Sequence, residues 1–175
     1  MRKAAFLDRD GVINRKAPGN GYITTWEEME ILPGVPDCIA KLNNAGFHVI
    51  IVSNQRCVAK GLLSSADLEM MHERMKEHLA QFDARIDAIY YCPHELTSAC
   101  RCRKPEPGML LEAARDHEVD LPRSWMIGDS PIDVDAGKRA GCKTALLVEN
   151  GSPASIEPDL IGESLIDVVA RILEE

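Results

Sequence analysis

Two carboxylates stand one residue apart where the first apolar run of the chain ends. Residues 4–7 are apolar, and Asp8, Arg9, Asp10 and Gly11 follow them directly. A short apolar run that ends at a glycine is typical of a buried strand, and residues i and i+2 of an extended chain share a side. Adjacent carboxylates repel each other, and a bound cation or a shared proton relieves that repulsion. The pair therefore indicates either such a site or a solvated acidic turn.

Polar residues also follow the next three apolar runs that the sequence offers as strands. Residues 49–52 lead into Ser53, Asn54 and Gln55, residues 86–91 lead through a loop to Arg103 and Lys104, and residues 125–127 lead to Asp129 and Asp133. The carboxyl ends of parallel strands meet at one edge of a sheet, so we expect these clusters to lie together. Their convergence favours a site over an acidic turn.

The segments between these runs carry apolar residues at helical spacing, so strands and helices alternate along the chain. Helices are predicted to begin near Pro33, Ser64, Pro107, Ile132 and Ser164, and a fifth strand is predicted at residues 144–148. This alternation predicts an α/β fold, in which a doubly wound parallel sheet is covered on both faces. With 175 residues the chain can build one sizeable core, which predicts a single domain over residues 1–175.

Three segments around this framework carry more specific expectations. Residues 15–32 are too long for a simple turn and predict a flap with Tyr22 and Trp26 packed beneath it. The apolar face of the second helix is predicted to hold Leu68, Met71, Met75, Leu79 and Phe82. That of the third helix is predicted to hold Leu110, Leu111 and Ala114.

Carboxylates, a hydroxyl and a lysine at one edge suit phosphoryl transfer. Asp8 and Asp129 form a natural ligand pair for Mg²⁺, which takes one or two carboxylates together with substrate oxygens and water. A carboxylate beside Mg²⁺ and Lys104 can attack phosphorus, because the cations neutralise the repulsion between two anions. Asp10 could then protonate the leaving oxygen and later activate water, while Ser53 and Lys104 hold the phosphoryl oxygens.

Four motifs in this order resemble those of the haloacid dehalogenase superfamily of phosphatases over nearly the whole chain. They are Asp8-Arg9-Asp10-Gly11, Ser53-Asn54-Gln55, Arg103-Lys104-Pro105, and Gly128-Asp129-Ser130 with Asp133. More narrowly, residues 6–14, 90–94 and 102–109 resemble the D-glycero-D-manno-heptose 1,7-bisphosphate 7-phosphatases, of which the histidinol-phosphate phosphatase domains are close relatives.

This resemblance implies a role for each motif residue. It implies Asp8 as the nucleophile, Asp10 as the general acid and base, and Mg²⁺ held by Asp8, Asp129 and the backbone carbonyl of Asp10. It implies that Ser53 and Lys104 bind phosphate and that Asp133 supports the metal site. We predict that Asn54, Gln55 and Arg103 also bind the substrate or its phosphate. It also implies a strand order of 5-4-1-2-3 and no large cap domain.

The sequence departs from the heptose phosphatases at three places that bear on the substrate. Arg56 and Cys57 stand where small residues are usual, Ser130 stands where lysine is common, and the loop between His94 and Cys100 is short. Heptose 1,7-bisphosphate cleaved at the 7-phosphate is the first expectation, with Arg103, Arg56 and Lys60 as candidates for contacting the distal phosphate. Histidinol phosphate is the alternative, and its cationic amine would need acidic residues where the bisphosphate needs arginine.

Cys92, His94, Cys100 and Cys102 form a second cluster with the spacing of metal ligands. Three thiolates and one imidazole on a short loop suit tetrahedral zinc, and a site with four protein ligands is closed and structural. Two disulfides or free thiols are the alternatives, but a Cys-x-Cys disulfide is badly strained. The hypothesis is that zinc fixes Arg101 and Arg103 over the substrate. The thiol of Cys57 is expected to be either accessible at the site or buried.

Composition excludes some partners and leaves one further class open. A net charge of −8 argues against nucleic acid and anionic membranes, and the first apolar run is too short for a signal peptide. We expect a cytoplasmic monomer that acts on a small phosphorylated metabolite. A phosphoacceptor signalling domain would also be doubly wound, but its acidic acceptor follows the third strand, where this chain has the cysteine loop. A zinc-stapled binding module with an inactive site is a further alternative, disfavoured by the complete set of catalytic residue types.

Overall fold

A computed structural model describes residues 1–148 and 157–174, which form a six-stranded sheet with helices on both faces. The strands are β1 (Ala4–Leu7), β2 (His48–Asn54), β3 (Ala88–Cys92), β4 (Trp125–Gly128), β5 (Lys143–Leu147) and β6 (Leu160–Gly162). The helices are α1 (Val35–Asn44), α2 (Ser65–Ala80), α3 (Gly108–Asp116), α4 (Pro131–Ala140) and α5 (Leu165–Glu174). Two short 3₁₀ turns, Trp26–Glu28 and Leu121–Arg123, lie in the connections.

Every neighbouring pair of strands is parallel, and the order across the sheet is β3-β2-β1-β4-β5-β6. The predicted doubly wound fold and the predicted order of the first five strands are confirmed. The sequence did not predict β6, because a strand of three residues has too few positions to show a pattern. The register places Phe6 between Ile50 of β2 and Met126 of β4, so β1 lies centrally in the sheet.

The four residues of β1 are fully buried, because helices cover the sheet on both sides. Ala5 and Leu7 belong to a core that also holds the buried residues of α1, α2 and α5. Ala4 and Phe6 point the other way, into a core formed with α3 and α4. The alternation along one strand thus divides the interior into two layers.

Two predicted apolar faces are wrong at one position each. Phe82 is 50% exposed because α2 ends at Ala80 and Phe82 lies in the turn that follows, out of helical phase. Leu111 is 45% exposed because the buried side of α3 is formed by Met109, Leu110 and Ala113. The other predicted members of the α2 face, from Leu68 to Leu79, are buried.

The predicted N-cap serines begin their helices, and the predicted flap contains a 3₁₀ turn. The Ser64 hydroxyl accepts a hydrogen bond from the Asp67 amide at 3.0 Å, and the Ser164 hydroxyl accepts one from the Asp167 amide at 3.2 Å. The predicted flap carries the first 3₁₀ turn and buries Ile23. In the part of the chain that the structure describes, no helix has the length and apolar character needed to cross a membrane.

Candidate active site

Three carboxylates gather at the carboxyl edge of the sheet, where β1 and β4 end. Asp8 follows β1, Asp129 follows β4, and Asp133 lies in the first turn of α4. Their side chains each offer an oxygen within 4.8 Å of the others. The Asp8 amide donates to the Ile127 carbonyl at 3.0 Å, which continues the pairing of β1 with β4 and holds Asp8 beside Asp129.

Lys104 supplies the charge that balances this cluster. It is only 2% exposed, and its Nζ lies 2.8 Å from Asp8 Oδ1 and 2.6 Å from Asp133 Oδ1 and donates to the Val52 carbonyl at 2.8 Å. Burial by itself lowers the pKa of Lys104, but the charges of Asp133 and Asp8 outweigh it and hold the pKa above its usual range. The lysine therefore stays charged in the interior.

Burial has the opposite consequence for the carboxyl group of Asp8. Its pKa is raised to about 6, chiefly by burial, against which the positive charge of Lys104 acts and to which the negative charge of Asp133 adds. Asp8 is therefore ionised at neutral pH but takes up a proton in mildly acidic solution. An ionised carboxylate is the form that can attack phosphorus or bind a cation.

A cation fits between Asp8 and Asp129. Asp129 Oδ1 is buried and makes no hydrogen bond within the described residues, while Lys16 Nζ lies 2.6 Å from Asp129 Oδ2. Gly11 leaves room at this place, because a Cβ there would lie 1.9 Å from Asp129 Oδ2, and its φ of 95° suits glycine. Oxygen donors with a free lone pair are the ligands that Mg²⁺ prefers.

The carboxylate of Asp10 is held apart from this cluster by side-chain donors. Arg9 Nη2 lies 3.0 Å from both of its oxygens, Asn14 Nδ2 donates to Oδ1 at 2.9 Å, and Gln55 Nε2 donates to Oδ2 at 2.9 Å. Burial raises the pKa of Asp10, but the charge of Arg9 and these hydrogen bonds outweigh it and lower the pKa. Asp10 is thus an ionised carboxylate in a fixed position.

The polar residues at the end of β2 hold both Lys104 and Asp10 in place. Asn54 exchanges two hydrogen bonds of 3.1 Å with the backbone of Lys104, which fixes the segment that carries the lysine. Gln55 joins Ser53 Oγ at 2.8 Å to Asp10, and Ser53 is 1% exposed. The side chains of Asn54 and Gln55, which the sequence predicts to bind phosphate, therefore contact Lys104 and Asp10 in this structure.

Asp133 has two roles in one side chain. Its Oδ2 accepts from the Ser130 amide at 3.1 Å and caps α4, while its Oδ1 contacts Lys104. Gly128 is required beside it, because a Cβ at that position would lie 2.2 Å from the Cβ of Asp133. Ser130 itself is the N-cap residue of α4.

The cations that could contact a distal phosphate lie around the cysteine loop. Arg103 Nη1 donates to the His94 carbonyl at 3.3 Å. Arg56 Nε lies 2.6 Å from Glu95 Oε2, and Lys60 Nζ lies 5.3 Å from the centre of the Tyr22 ring. These contacts join the flap, the turn after β2 and the cysteine loop along one side of the site.

The four predicted zinc ligands come together at the end of β3. Cys92 Sγ lies 3.1 Å from Cys102 Sγ, 3.7 Å from Cys100 Sγ and 3.4 Å from His94 Nδ1. All six cysteines are free thiols, which disagrees with the disulfide alternative. Three sulfur atoms and an imidazole nitrogen within 4.8 Å of one another fit a tetrahedral cation such as zinc.

Three residues at the site were not predicted from the sequence. Arg9 is 1% exposed although an arginine between two aspartates is usually solvated, and Lys16 contacts Asp129 from the flap. His72 is 3% exposed and lies against Arg9. The thiol of Cys57 is buried rather than accessible. No spacing rule links positions 9 and 72, so the sequence carried no signal for their contact.

This fold and these motifs define the class of haloacid dehalogenase-like hydrolases. A family model described as HAD-hydrolase-like matches residues 101–168. A heptose bisphosphate phosphatase structure from B. bronchiseptica, whose description names bound magnesium and phosphate, superposes with a TM-score of 0.87 at 35% identity and 98% coverage of both chains.

Curated relatives narrow the class. The chain is 44% identical to D-glycero-beta-D-manno-heptose-1,7-bisphosphate 7-phosphatase of Rhodopseudomonas palustris over 147 residues, 80% of each protein. It is 37% identical to the enzyme of that name from Escherichia coli, over 97% of this chain and 91% of the relative. The chain belongs to the family of D-glycero-beta-D-manno-heptose-1,7-bisphosphate 7-phosphatases, and it is a phosphoric monoester hydrolase.

Proposed function

We propose that this chain hydrolyses the 7-phosphate of D-glycero-beta-D-manno-heptose 1,7-bisphosphate in a Mg²⁺-dependent reaction. The observation that carries the proposal is the buried Lys104, which lies 2.8 Å from Asp8 beside the unsatisfied oxygen of Asp129. A carboxylate so placed can act as a nucleophile towards a phosphate group. The proposed substrate is the one for which relatives of 36–44% identity are named.

The proposed reaction has two steps. In the first, an Asp8 oxygen bonds to phosphorus while the bond from phosphorus to the sugar oxygen breaks, and Asp10 in its protonated form gives its proton to that oxygen. In the second, Asp10 takes a proton from water, which bonds to phosphorus and displaces the Asp8 carboxylate. The donors around Asp10 favour its ionised form, so the resting protein is arranged for the base role of the second step.

The remaining residues bind and neutralise. Lys104 and Ser53 would hold the phosphoryl oxygens, because both are buried at the edge of the sheet beside Asp8 and Asp10. Mg²⁺, held by Asp8, Asp129 and the Asp10 carbonyl with Asp133 in support, would neutralise negative charge on the phosphoryl group. Each cation would lower the repulsion that opposes attack of one anion on another.

Zinc in the cysteine loop would have a structural role in this scheme. Cys92, His94, Cys100 and Cys102 would supply four ligands, which leaves no open position for substrate. Arg103 lies between the last ligand, Cys102, and Lys104, so a loop ordered by zinc would hold the Arg103 guanidinium beside the site. We assign the distal phosphate of the substrate to this arginine.

We also assign the chain to the cytoplasm as a monomer that acts on a small metabolite without nucleic acid or membrane. The four-ligand group needs reduced thiols, which a reducing compartment maintains. The net charge of −8 disfavours polyanionic partners, whereas local cations such as Lys104 and Arg103 serve a small phosphate.

The first test compares four substrates in one Mg²⁺-dependent phosphate-release assay: the β and α anomers of heptose 1,7-bisphosphate, histidinol phosphate and 4-nitrophenyl phosphate. We expect the highest kcat/KM for the β anomer and complete loss of turnover in Asp8→Asn. A preference for histidinol phosphate would overturn the substrate. Activity that persists in Asp8→Asn would overturn the nucleophile.

A matched pair of arginine variants tests the distal phosphate contact. Arg103→Gln should lower kcat/KM for the bisphosphate about 10–100-fold, the loss of one charged hydrogen bond, and leave 4-nitrophenyl phosphate nearly unaffected. Arg115→Gln, at the end of α3 where Arg115 pairs with Asp116, is the control and should change neither. Equal losses on both substrates would contradict the assignment.

A further inference from the structure

Arg9 is a buried guanidinium between a carboxylate and an imidazole. It is 1% exposed, with Nη2 3.0 Å from both oxygens of Asp10 and Nη1 3.1 Å from His72 Nε2. Its Nε is buried and makes no hydrogen bond within the described residues. A buried charge keeps its position only through the partners that it has, so the orientation of this guanidinium depends on Asp10 and His72.

His72 is held in a setting that keeps its imidazole neutral. It lies on α2 with 3% of its surface exposed, and burial together with the charge of Arg9 lowers its pKa to about 3. A neutral imidazole has one nitrogen that accepts, so the contact is a hydrogen bond donated by Arg9 Nη1 to His72 Nε2. The direction of this hydrogen bond follows from the chemistry, because arginine has no acceptor.

The imidazole is itself fixed from β3. The rings of His72 and Tyr91 meet edge to face with 5.8 Å between their centres, and the Tyr91 hydroxyl donates to Glu69 Oε1 at 2.9 Å. Glu69 lies one turn before His72 on the same helix. A tyrosine of β3 is thus tied to α2 and limits the rotation of the imidazole ring.

We propose that His72 is a positioning residue for hydrolysis, because its hydrogen bond orients the Arg9 guanidinium that holds the Asp10 carboxylate in place. The inference rests on the proposed function, in which Asp10 activates water against the phosphorylated Asp8. Within the described residues, His72 contacts neither Asp8 nor Asp10, so its effect on Asp10 passes through Arg9. Displacing a reacting group by about 1 Å can cost about 100-fold in rate, so a guanidinium free to rotate would slow this step.

The test uses two substitutions of His72 that differ in one property. His72→Met gives an apolar side chain of similar length whose thioether sulfur is only a weak hydrogen-bond acceptor, and His72→Gln returns an acceptor oxygen near the place of Nε2. His78→Met, on the same helix beside Trp26, is the control for the substitution itself. Thermal unfolding of each variant shows whether it is folded at the assay temperature.

The substrate is 4-nitrophenyl phosphate, whose leaving group needs little protonation, so that the assay isolates the second step. In His72→Met we expect kcat and KM to fall together about tenfold, with kcat/KM nearly unchanged. Only the second step, in which Asp10 acts as general base, becomes slower when Asp10 is misplaced. The phosphorylated enzyme trapped by acid quench should rise in parallel. His72→Gln should restore kcat and the phosphoenzyme fraction, a rescue that a merely structural role of His72 would not predict.

Several results would overturn the inference. An unchanged kcat and an unchanged phosphoenzyme fraction in folded His72→Met would do so, and so would equal impairment in His72→Gln. If His72→Met does not fold, nitrogen NMR of the unsubstituted protein decides: Nε2 should be unprotonated, and a proton on Nε2 would remove the acceptor that Arg9 needs. Turnover that does not require Asp8 would instead reject the proposed function, which the Asp8→Asn control detects separately.

Discussion

At the scale of residues, Lys104 places a buried positive charge among the carboxylates of the candidate active site. Lys104 donates hydrogen bonds to Asp8 and to the Val52 carbonyl and forms an ion pair with Asp133, so its charge is compensated by nearby partners. A buried ammonium group is stable only under that condition, since burial without partners costs several kcal/mol. The same three contacts aim positive charge at Asp8, where a phosphate would arrive.

Removing this charge should destabilise the fold and abolish turnover. Lys104→Met leaves Asp8 and Asp133 buried together without a cation, which should lower the free energy of unfolding by about 3–5 kcal/mol. The phosphate-release rate should fall at least about 100-fold, because a preorganised positive charge is lost. Urea unfolding and steady-state kinetics measure the two effects.

Lys76→Met is the matched control, because Lys76 pairs with Glu73 on the exposed side of α2. It should change the free energy of unfolding by less than about 1 kcal/mol and leave turnover intact. Equal losses of unfolding free energy in the two variants would show that the ion pairs of Lys104 with Asp8 and Asp133 do not stabilise the fold.

The affinity for Mg²⁺ should depend on pH through Asp8. Its pKa of about 6 in the metal-free protein means that the carboxyl group carries a proton below pH 6, and a cation must displace that proton. Apparent affinity should therefore rise about tenfold per pH unit towards pH 6 and level off above it. Burial also raises the pKa of Asp129, which acts in the same direction.

Calorimetry in two buffers of different ionisation enthalpy measures this linkage. Mg²⁺ binding at pH 5 should release protons, and binding at pH 8 should release almost none from Asp8. An affinity that stays constant between pH 5 and pH 7, without proton release, would contradict the raised pKa.

The sequence predicted the site residues that follow strands, but not those that depend on packing between distant segments. Asp8, Ser53 and Asp129 were predicted because each follows an apolar run, and the topology brings their strands side by side. Arg9 and His72 were not predicted as site residues, because their contact depends on how α2 packs against the turn after β1. Packing between distant segments leaves no periodic trace in one sequence.

At the scale of elements, the loop after β3 carries four side chains that could hold a metal ion. Its ligand atoms lie within 4.8 Å of one another, and deprotonated thiolates at that distance repel unless a cation lies between them. The loop contacts the turn after β2 through Arg56 and Glu95. It leads directly into Arg103 and Lys104, so we expect its order to affect substrate binding.

Loss of one thiolate should therefore raise KM more than it lowers kcat. Cys100→Ser should reduce the zinc content of the purified protein to near zero and raise KM for heptose bisphosphate about tenfold, through a loosened Arg103. Elemental analysis measures the zinc content, steady-state kinetics measure KM and kcat, and hydrogen exchange over residues 92–104 reports the order of the loop. Cys38→Ala, on α1 away from the cluster, should keep its zinc and its KM. Full zinc content in Cys100→Ser would reject the ligand assignment.

At the scale of the molecule, the site draws on segments from Asp8 to Asp133, so it forms only when β1, β2 and β4 lie side by side. β1 pairs with both β2 and β4, and the two core layers meet across it. The alternation of strands and helices predicted a parallel sheet covered on both faces, and the resemblance to the haloacid dehalogenase superfamily supplied the strand order. The three-residue β6 and the turn that exposes Phe82 depend on tertiary packing, which local patterns do not encode.

Such a framework should unfold as one cooperative unit. Trp125 is buried in β4, whereas Trp26 lies in the flap with its ring 5.7 Å from that of His78 on α2, so the two indoles report on different parts of the molecule. In urea, the fluorescence of Trp26→Phe follows Trp125 alone, and its difference from the unsubstituted protein follows Trp26. For a single domain over residues 1–175 we expect both signals and far-ultraviolet circular dichroism to give the same midpoint. A lower midpoint for Trp26 would make the flap a separate unit, and the site would then lose Lys16 before it loses its sheet.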